Sequence, residues 1–593
     1  MSELGGSSSF ARGQPLTTTR SAAQVRGQDR LRVGVLVESL RQPLWLYDAL
    51  HQLVASEVAD LVVLVRDDPS SAANGRPQRP GLMLRAYSRV DRLIFLTGRD
   101  PCALTDISPV LSTCEVIVVE PDLQDRNYPL SGPSLEKVSA HQLDVLLNLR
   151  RRPPTGRALD VARYGVWAFY HGDHSQPVPF GFAEVIAALP VTSAGLLVSS
   201  PRGSQMIYRS WTATDLLSVS RTTVPVYWKS SHFLSRKLRD VYYGDTLEVE
   251  DGSPAPAPAP ARLGARCEAT SPFVSTRVAI TTARRVAARS ASQVLRRKLA
   301  PWHWSIAFHF DSGVRRGCTP HLRLTDYEVC QPPRGVFWAD PFAISAAGRY
   351  FVFIEEYVHR TRRAHIAVLE FDPQRGWSEA TTVLSQNYHL SYPCVFEWNG
   401  SWYMIPETSD NRTIELYRAI DFPWRWENET VLLRDLIAAD ATVACIDGSW
   451  WMFATVAVEG TRPWDELHIY HARAPFGPWR PHRGNPVKSD VRSARPAGHL
   501  FQGAATLVRP AQDSSGRYGN ALVLNQVETL STVAYSEVAR RRLAMTHMGR
   551  EMGTHTINAA CGLSVIDMRV PKREPRWLLP RFGHDRGRSF SGA

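Results

Sequence analysis

The chain has 593 residues, of which 44% are hydrophobic and 21% charged, and its formal net charge is +12. This length exceeds what one hydrophobic core supports, so two or three domains are expected, and the composition excludes a chain that is disordered throughout. No apolar run of about 18 residues and no hydrophobic leader occur, and the eight cysteines form no CxxC pair. These features predict a soluble cytoplasmic protein without a metal site.

Residues 1–30 are rich in Ser, Gly, Thr and Arg and are predicted to be disordered. An α/β domain with an open, doubly wound parallel sheet is predicted for 31–245. The segment PLWLYDALHQLVASE has apolar residues at helical spacing, as the crossover between two parallel strands requires. The predicted buried strands are the short, almost continuously apolar runs at 31–37, 59–65, 91–96, 114–120 and 143–149.

A linker is predicted over 246–300. Alternating Pro and Ala in DGSPAPAPAPARLGA (251–265) predicts a stiff spacer, and 275–299 reads as a basic helix. Two interpretations of this helix stay open: it docks against a neighbouring domain, or it makes peripheral contact with an anionic membrane. The remaining positive charge is scattered over linkers and a basic tail at 581–593, with no nucleic-acid-binding motif, so a nucleic-acid partner is not expected.

A repeat of about 50 residues begins near Trp302. Gly348, Gly400 and Gly448 each open an alternating aromatic and apolar strand, in GRYFVFIEE, GSWYMIPET and GSWWMFATV, and a weaker echo begins near Gly516. Repeats of this length with short strands are typical of propeller blades. We therefore predict an all-β five-bladed propeller over 301–580.

Acidic residues recur near the ends of these strands. Asp340 stands in WADPF, Glu407 closes GSWYMIPET, and Asp440 stands in AADATV. Cleavage of a glycoside needs one carboxyl group held protonated and another held ionised. Acids from different blades that point to the propeller axis would provide this pair.

WADPF, HLSYP (389–393), MIPET (404–408) and LYRAIDFPWRW (416–426) resemble five-bladed glycoside hydrolases that act on furanosides. A closer resemblance, over about 300–570, is to the N-terminal domain of plant glucosamine inositolphosphorylceramide transferases. In those proteins transfer is attributed to a separate downstream domain, which this chain does not contain, so glucosamine transfer is not carried over. The resemblance implies that Asp340 is the base, Glu407 the proton donor and Asp440 a tuning carboxylate.

Further polar residues of the propeller are candidates for reading sugar hydroxyls or an anionic group. Each of them is also compatible with a purely structural role. The set that we predict to bind substrate is Glu356, His389, Tyr392, Arg495 and His499.

The stretch ALDVARYGVWAFYHGDHSQPVPFGFAEV (158–185), followed by LPVTSAGLLV, resembles formyltransferases that use formyl-folate. The family's catalytic Asn and His fall on Ala168 and Tyr170, and its Asp falls in SSPRGSQ, which contains no acid. His171 and Asp173 stand nearby as possible substitutes. The resemblance implies a degenerate formyltransferase-like domain, and formyl-folate is the one cofactor that it suggests.

Three functional hypotheses follow. The first is a carbohydrate-active enzyme of surface glycan or glycolipid metabolism that cleaves or transfers glycosides in the propeller channel. The second is a non-catalytic sugar-binding scaffold built from two degenerate enzyme domains. The third is formyl transfer to an amino sugar.

Overall fold

A computed structural model describes most of the chain in two domains. The predicted disordered start, the Pro–Ala spacer, the basic tail and Asp173 lie outside the described residues, apart from Asp29 and Arg30. Among the described helices none is both long and apolar enough to cross a membrane. The described residues are 29–67, 81–119, 130, 132–150, 154–172, 178–245, 247, 272–299, 302–311, 319–502, 506–547 and 550–571.

The N-terminal domain is built on a seven-stranded sheet of order β5-β3-β1-β6-β7-β8-β9. The first five strands in this order are parallel to one another. At one edge β8 pairs antiparallel with both β7 and β9. The sheet is therefore mixed, and β2 and β4 form a small separate pair. The strands are β1 (Leu31–Val37), β2 (Arg41–Pro43), β3 (Ala59–Asp67), β4 (Leu104–Asp106), β5 (Glu115–Val119), β6 (Val145–Asn148), β7 (Val166–His171), β8 (Val191–Ser200) and β9 (Gly203–Ala213).

Helices cover the sheet and connect its strands. The crossover helix predicted between the first two parallel strands is confirmed as α1. The helices are α1 (Leu44–Val54), α2 (Leu82–Phe95), α3 (Gly132–Ala140), α4 (Phe182–Ala187), α5 (Val219–Ser230), α6 (Phe233–Tyr242) and α7 (Pro272–Leu299).

The strand predicted at 91–96 is wrong, because residues 91–95 form the C-terminal end of α2 and Leu96 caps it. Leu84 and Asp91, seven residues apart, are both buried on the same side of the helix. Asp91 accepts a hydrogen bond from the backbone NH of Ser220 at 2.7 Å. A short apolar run does not by itself distinguish a strand from a buried helix segment, and here the helical period decides.

The basic helix α7 docks against the N-terminal domain. Its residues Val278 and Ala279 are buried in a cluster with Leu84 and Phe182. The Arg289 guanidinium donates to the carbonyl oxygens of Val185, Ile186 and Leu216, at 2.6 to 3.3 Å. Since the backbone carbonyls at a helix C-terminus lack partners within the helix, these contacts fix α7 to the end of α4.

The C-terminal domain is a five-bladed propeller, as the repeat predicts. Blade 1 contains β12–β16, blade 2 β17–β20, blade 3 β21–β25, and blade 4 β26–β29. Their bounds are β12 (Val336–Ala346), β13 (Arg349–Val358), β14 (Arg363–Asp372), β15 (Gly376–Trp377), β16 (Thr381–Leu384), β17 (Ser391–Trp398), β18 (Ser401–Thr408), β19 (Thr413–Asp421), β20 (Arg425–Arg434), β21 (Ile437–Ile446), β22 (Ser449–Ala457), β23 (Glu466–Ala472), β24 (Arg480–Pro481), β25 (Lys488–Ser489), β26 (Phe501–Gln502), β27 (Leu507–Asp513), β28 (Ala521–Leu530) and β29 (Tyr535–Leu543).

Blade 5 closes the ring with strands from both ends of the domain. Its first strand by sequence, β10, pairs antiparallel with the last strand, β33, so the closure removes a sheet edge. A separate hairpin, β30 with β31, precedes it. The remaining strands are β10 (Trp302–Phe310), β11 (Glu328–Cys330), β30 (Met545–His547), β31 (Arg550–Met552), β32 (Ile557–Ala560) and β33 (Leu563–Pro571).

The repeated glycines occupy one kind of turn. Gly348, Gly400 and Gly448 each link the first two strands of a blade with φ near +75°, and the residue before each also has positive φ. Two successive positive φ values define the hairpin turn that glycine favours. The fourth member is Gly562 between β32 and β33, whereas Gly516 lies between the second and third strands of its blade. The predicted echo near Gly516 is therefore wrong.

The two domains meet through buried ion pairs. The Lys229 ammonium of α5 lies 3.1 Å from the Asp465 carboxylate. In α6, the Arg236 guanidinium makes two hydrogen bonds to the Glu466 carboxylate, at 2.7 and 2.9 Å. Since β22 ends opposite the beginning of β21, the loop that carries Asp465 lies at the same end of blade 3 as Asp440. The N-terminal domain thus supports the rim of the propeller face on which Asp440 lies.

Candidate active site

Three blades carry the same irregularity in their innermost strand. The pairing of the first two strands shifts register at Asp340, at Tyr392 and at Asp440, and each of these residues has φ between +46° and +54°. A β-bulge of this kind re-aims a side chain out of the alternating pattern. Successive blades therefore present Asp, Tyr and Asp at one equivalent position near the propeller axis.

The second strand of each blade adds a further side chain beside the bulge. Glu355 pairs with the residue before Asp340, and Glu407 pairs with Ser391 in the next blade. In blade 3 the equivalent residue is Thr455. Two strands of each blade thus contribute to a single acidic cluster, of which the sequence predicted Asp340, Glu407 and Asp440.

Arg495 binds two of the predicted acids at once. Its guanidinium donates to both oxygens of Asp440, at 2.6 and 2.9 Å, and to Glu407 Oε2 at 3.2 Å. The side-chain amide of Gln512 also donates to Asp440, at 2.6 Å. Asp440, only 1% exposed, is consequently held by three hydrogen bonds from Arg495 and Gln512.

The surroundings of Glu407 favour its protonated form. Burial raises the pKa of Glu407 well above its usual range, and Arg495 acts to lower it. The neighbouring Asp440 raises the pKa further, through its charge and a hydrogen bond that the two carboxyl groups share. Glu407 and Asp440 are therefore adjacent carboxyl groups that share one guanidinium but differ in their surroundings, and such differences allow neighbouring carboxyl groups to take different roles.

Asp340 lies in a second, histidine-containing half of the cluster. Its carboxylate accepts hydrogen bonds from the Thr556 hydroxyl at 2.7 Å and the Tyr392 backbone NH at 3.2 Å. His555 Nε2 lies 3.8 Å away, and its Nδ1 contacts Asp567. Burial raises the pKa of Asp340 to about 7, although His555 opposes this shift.

The charge of His555 balances these acids. Burial alone would lower the pKa of His555, but Asp567 and then Asp340 raise it to about 9. Asp340, His555 and Asp567 also place potential ligand atoms within 4.8 Å of one another, a set that could hold a metal ion. Since a metal ligand must be deprotonated, a metal bound here would compete with the proton on His555.

Tyr518 is a site residue that the sequence did not reveal. The Arg495 guanidinium lies over its ring, 5.2 Å from the centroid, and its ring packs edge-on against His555 at 5.1 Å. Trp464, from the loop beside the N-terminal domain, contacts the same ring at 5.5 Å. The aromatic pair joins the arginine half of the cluster to the histidine half.

Two of the predicted substrate-binding residues lie on opposite sides of β13. Glu356 turns away from the cluster, because neighbouring residues of a strand face opposite sides, and it binds Trp338 Nε1 at 2.8 Å and His365 at 3.1 Å. Its neighbour Glu355 points inward instead. His389 Nε2 lies 3.3 Å from Glu355 and is partly exposed, which places it at the edge of the cluster.

Tyr392 and His499 are packed within the propeller. The Tyr392 hydroxyl contacts the Thr442 hydroxyl at 2.8 Å and accepts the Gly498 NH at 2.6 Å, and its side chain is fully buried. Burial lowers the pKa of His499 to about 4, and its ring lies edge-on to Phe342 at 5.0 Å. These contacts show that both residues join blades together. Of the predicted substrate-binding set, the side chains of Arg495 and His389 lie at the cluster, whereas Tyr392 contacts it through the backbone NH that binds Asp340.

The degenerate formyltransferase positions lie on β7. Ala168 and Tyr170 are buried within the sheet, and the ring of His171 is enclosed by Trp45, Phe180 and Tyr227. His171 Nε2 lies 3.0 Å from the Ser230 hydroxyl. The mixed sheet does not establish a formyltransferase fold, which stays a prediction, as does formyl-folate binding.

Fold and site define a five-bladed propeller with an acidic cluster at its axis. Residues 327–560 match the family model described as glucosamine inositolphosphorylceramide transferase 1, N-terminal. The proteins of that name from Oryza sativa subsp. japonica and Arabidopsis thaliana are 36% and 32% identical to this chain over 206 residues. The matched segment is 34% of this chain but only 28% and 27% of those relatives, so the similarity concerns a minor part of each.

Solved glycoside-acting propellers overlap with this chain at low similarity. The overlap with Zg3597, a family 117 glycoside hydrolase of Zobellia galactanivorans, covers 44% of this chain and 90% of the hydrolase chain, with a TM-score of 0.30 and 11% identity. RS223 β-xylosidase covers 36% and 78%, with TM-score 0.30 and 10% identity. At these values the overlaps carry no argument about substrate.

Proposed function

We propose that the propeller acts on a carbohydrate or glycolipid and cleaves or transfers a glycosidic bond at the acidic cluster. The observation that carries this proposal is the pair formed by Glu407 and Asp440. One carboxyl group is held as an acid by burial, while its neighbour is bound by Arg495. Glycoside chemistry requires a carboxyl group held as an acid, together with a second carboxyl group that acts as the base.

Glu407 is assigned as the proton donor. Its proton passes to the glycosidic oxygen as the bond to the anomeric carbon breaks, so that the leaving group departs as a neutral alcohol. The negative charge that develops on Glu407 is stabilised by Arg495, whose Nη2 already lies 3.2 Å from its carboxyl oxygen. Asp440 raises the pKa of Glu407 and so keeps the carboxyl group of Glu407 protonated.

Asp340 is assigned as the base. In its ionised form it takes the proton from the incoming water or sugar hydroxyl, whose oxygen forms the new bond to the anomeric carbon. The pKa of about 7, raised by burial, suits a group that must both accept and release a proton near neutral pH. The Thr556 hydroxyl fixes its orientation at 2.7 Å.

The test is turnover of a glycoside panel followed by mass spectrometry. Because the matched relatives are named glucosamine inositolphosphorylceramide transferases, amino-sugar glycosides and inositol-phosphate lipids come first, followed by furanosides and nucleotide sugars. Glu407→Gln is expected to lose activity by a factor of about 10² to 10⁴. Glu356→Gln is the matched control, since this glutamate lies on the opposite side of β13, and it should retain activity.

Loss in both variants would point to general damage and would contradict the assignment. If neither wild type nor variant turns over any substrate, while sugars still raise the melting temperature, the propeller is a binding scaffold and the proposal is wrong. Consumption of formyl-folate with an amino sugar would instead place the chemistry in the N-terminal domain.

A further inference from the structure

Helix α2 presents its apolar side chains to solvent. Leu93 is 80% exposed, Leu82 76% and Ile94 64%, and Val90 and Met83 are about half exposed. Several large aliphatic side chains grouped on one exposed helix face are unusual on a soluble domain and mark an interaction site.

The orientation of α2 is fixed by its other face. The buried carboxylate of Asp91 accepts a hydrogen bond from the Ser220 NH at the start of α5. Leu84 is 1% exposed and packs with Phe182 and Val278. The helix therefore buries an aspartate and exposes leucines, and rotation about its axis would break both inward contacts.

Positive charge accompanies the apolar face. A groove of about 620 Å³ runs beside α2 and is lined by Arg85, Arg89, Arg92 and Leu93, and also by Asp100, whose carboxylate accepts a hydrogen bond from Arg92 at 3.0 Å. Helix α7 packs alongside and adds the exposed side chains of Arg277 and Ile280. The sequence segments 81–100 and 272–299 together contain eleven Arg or Lys and two acids, the buried Asp91 and Asp100, which is paired with Arg92.

We propose that α2 and the adjoining side of α7 form a docking surface for an anionic lipid bilayer. The leucine and isoleucine side chains of α2 enter the boundary of the acyl region, and the arginines of the groove contact lipid phosphates. Aliphatic side chains flanked by arginines, in two segments where basic residues outnumber acids by eleven to two, match this partner on both counts. A nucleic acid would engage the charge but would leave the aliphatic face in water.

Vesicle flotation of the full-length chain tests this surface. We expect binding to phosphatidylcholine vesicles that contain 30% phosphatidylserine, and loss of binding at 500 mM NaCl, because surface charge is screened by salt. Each cation near the bilayer contributes roughly a factor of five, so Arg85→Gln with Arg89→Gln should weaken binding about 30-fold. Leu93→Ser with Ile94→Ser should weaken it at least about tenfold by removing buried apolar area.

Matched controls come from the propeller, where Val533 is 48% exposed and Arg375 is also exposed. Val533→Ser and Arg375→Gln should leave binding unchanged, and circular dichroism confirms that every variant is folded. The readout does not involve turnover, so it is independent of the proposed function. Wild-type binding to pure phosphatidylcholine of equal strength, or unchanged binding by the α2 variants, would overturn the proposal.

Two further outcomes would assign the surface to another partner. Sedimentation that shows a dimer, abolished by Leu93→Ser with Ile94→Ser while vesicles are ignored, would make the partner a second copy of this chain. Binding to duplex DNA that depends on Arg85 and Arg89, without vesicle binding, would make it a nucleic acid. Either result contradicts the bilayer assignment.

Discussion

Replacing Arg495 by Met removes the guanidinium that binds Asp440 while approximately keeping the side-chain volume. Asp440 is 1% exposed and would retain the hydrogen bond from Gln512 and the one that it shares with Glu407. Glu407 would lose its 3.2 Å contact with the guanidinium at the same time. The variant therefore leaves a buried carboxylate without a counter-charge.

The cost follows from burial. Breaking a buried ion pair by removing one partner typically destabilises a protein by about 3–5 kcal/mol. For a domain of this size, each kcal/mol corresponds to roughly 2–4 °C in melting temperature, so the propeller should melt roughly 10 °C lower. Because an unpaired buried carboxyl group takes up a proton more readily, the loss should be smaller at pH 5 than at pH 8.

Differential scanning calorimetry at pH 5 and pH 8 measures both effects. Arg418→Met is the control, because Arg418 pairs with Glu429 at 3.0 Å on the propeller surface and both side chains are more than a third exposed. Exposed pairs contribute about 0–1 kcal/mol. If Arg495→Met destabilised the protein no more than this control at pH 8, the assignment of Arg495 as the counter-charge of a buried acid would be refuted.

Two further predictions concern protonation and the domain contact. Asp340 and His555 keep their protons to a higher pH in the folded state than in the unfolded chain. Folding raises the pKa of Asp340 from 3.8 to about 7 and that of His555 from 6.5 to about 9. The free energy of unfolding should therefore fall from pH 5 to pH 9, by about 1.4 kcal/mol per unit of pKa difference. Denaturant titrations in EDTA measure this fall, and the free energy of unfolding should depend less on pH in Asp340→Asn. At the domain contact, Arg236→Met leaves the buried Glu466 without its partner and should lower the free energy of unfolding in urea by about 3–5 kcal/mol. The exposed pair of Arg483 with Asp245 is the control and should contribute under about 1 kcal/mol. Equal losses of stability would contradict the buried contact.

The propeller was predictable because glycines recur at equivalent hairpin turns of its blades. Gly348, Gly400 and Gly448 are required by a backbone with positive φ, so they recur at the blade period whatever the neighbouring side chains are. Gly562 performs the same role but opens a strand with few aromatic residues, LSVIDM, and so it was missed. The prediction of a blade turn near Gly516 failed because Gly516 lies in the connection between β27 and β28, the second and third strands of its blade.

The candidate site was predictable only in part. Asp340, Glu407 and Asp440 stand in recognisable strand ends, but β-bulges decide which side chains turn inward, and a bulge leaves no clear trace in one sequence. The choice of Glu356 over Glu355 illustrates this limit, since a shift of one residue moves a side chain to the other face.

His555 and Tyr518 could not be placed from the sequence at all. His555 joins the cluster through the closure of the ring and lies more than 200 positions from Asp340 in the sequence. Tyr518 joins it through a loop after β27, about 80 positions from Asp440. The strand predicted at 91–96 failed for a related reason, because a buried aspartate turned an apolar run into the outer face of a helix.

The role of Glu407 is tested most directly by varying the leaving group. A proton donor is needed for an alkyl leaving group but hardly for dinitrophenolate, which departs without protonation. With glycosides of one responsive sugar, Glu407→Gln should therefore lose kcat/KM by about 10² to 10⁴ on the alkyl substrate and by about tenfold or less on the dinitrophenyl substrate. Equal losses on the two substrates would contradict the assignment of Glu407 as the proton donor of the propeller.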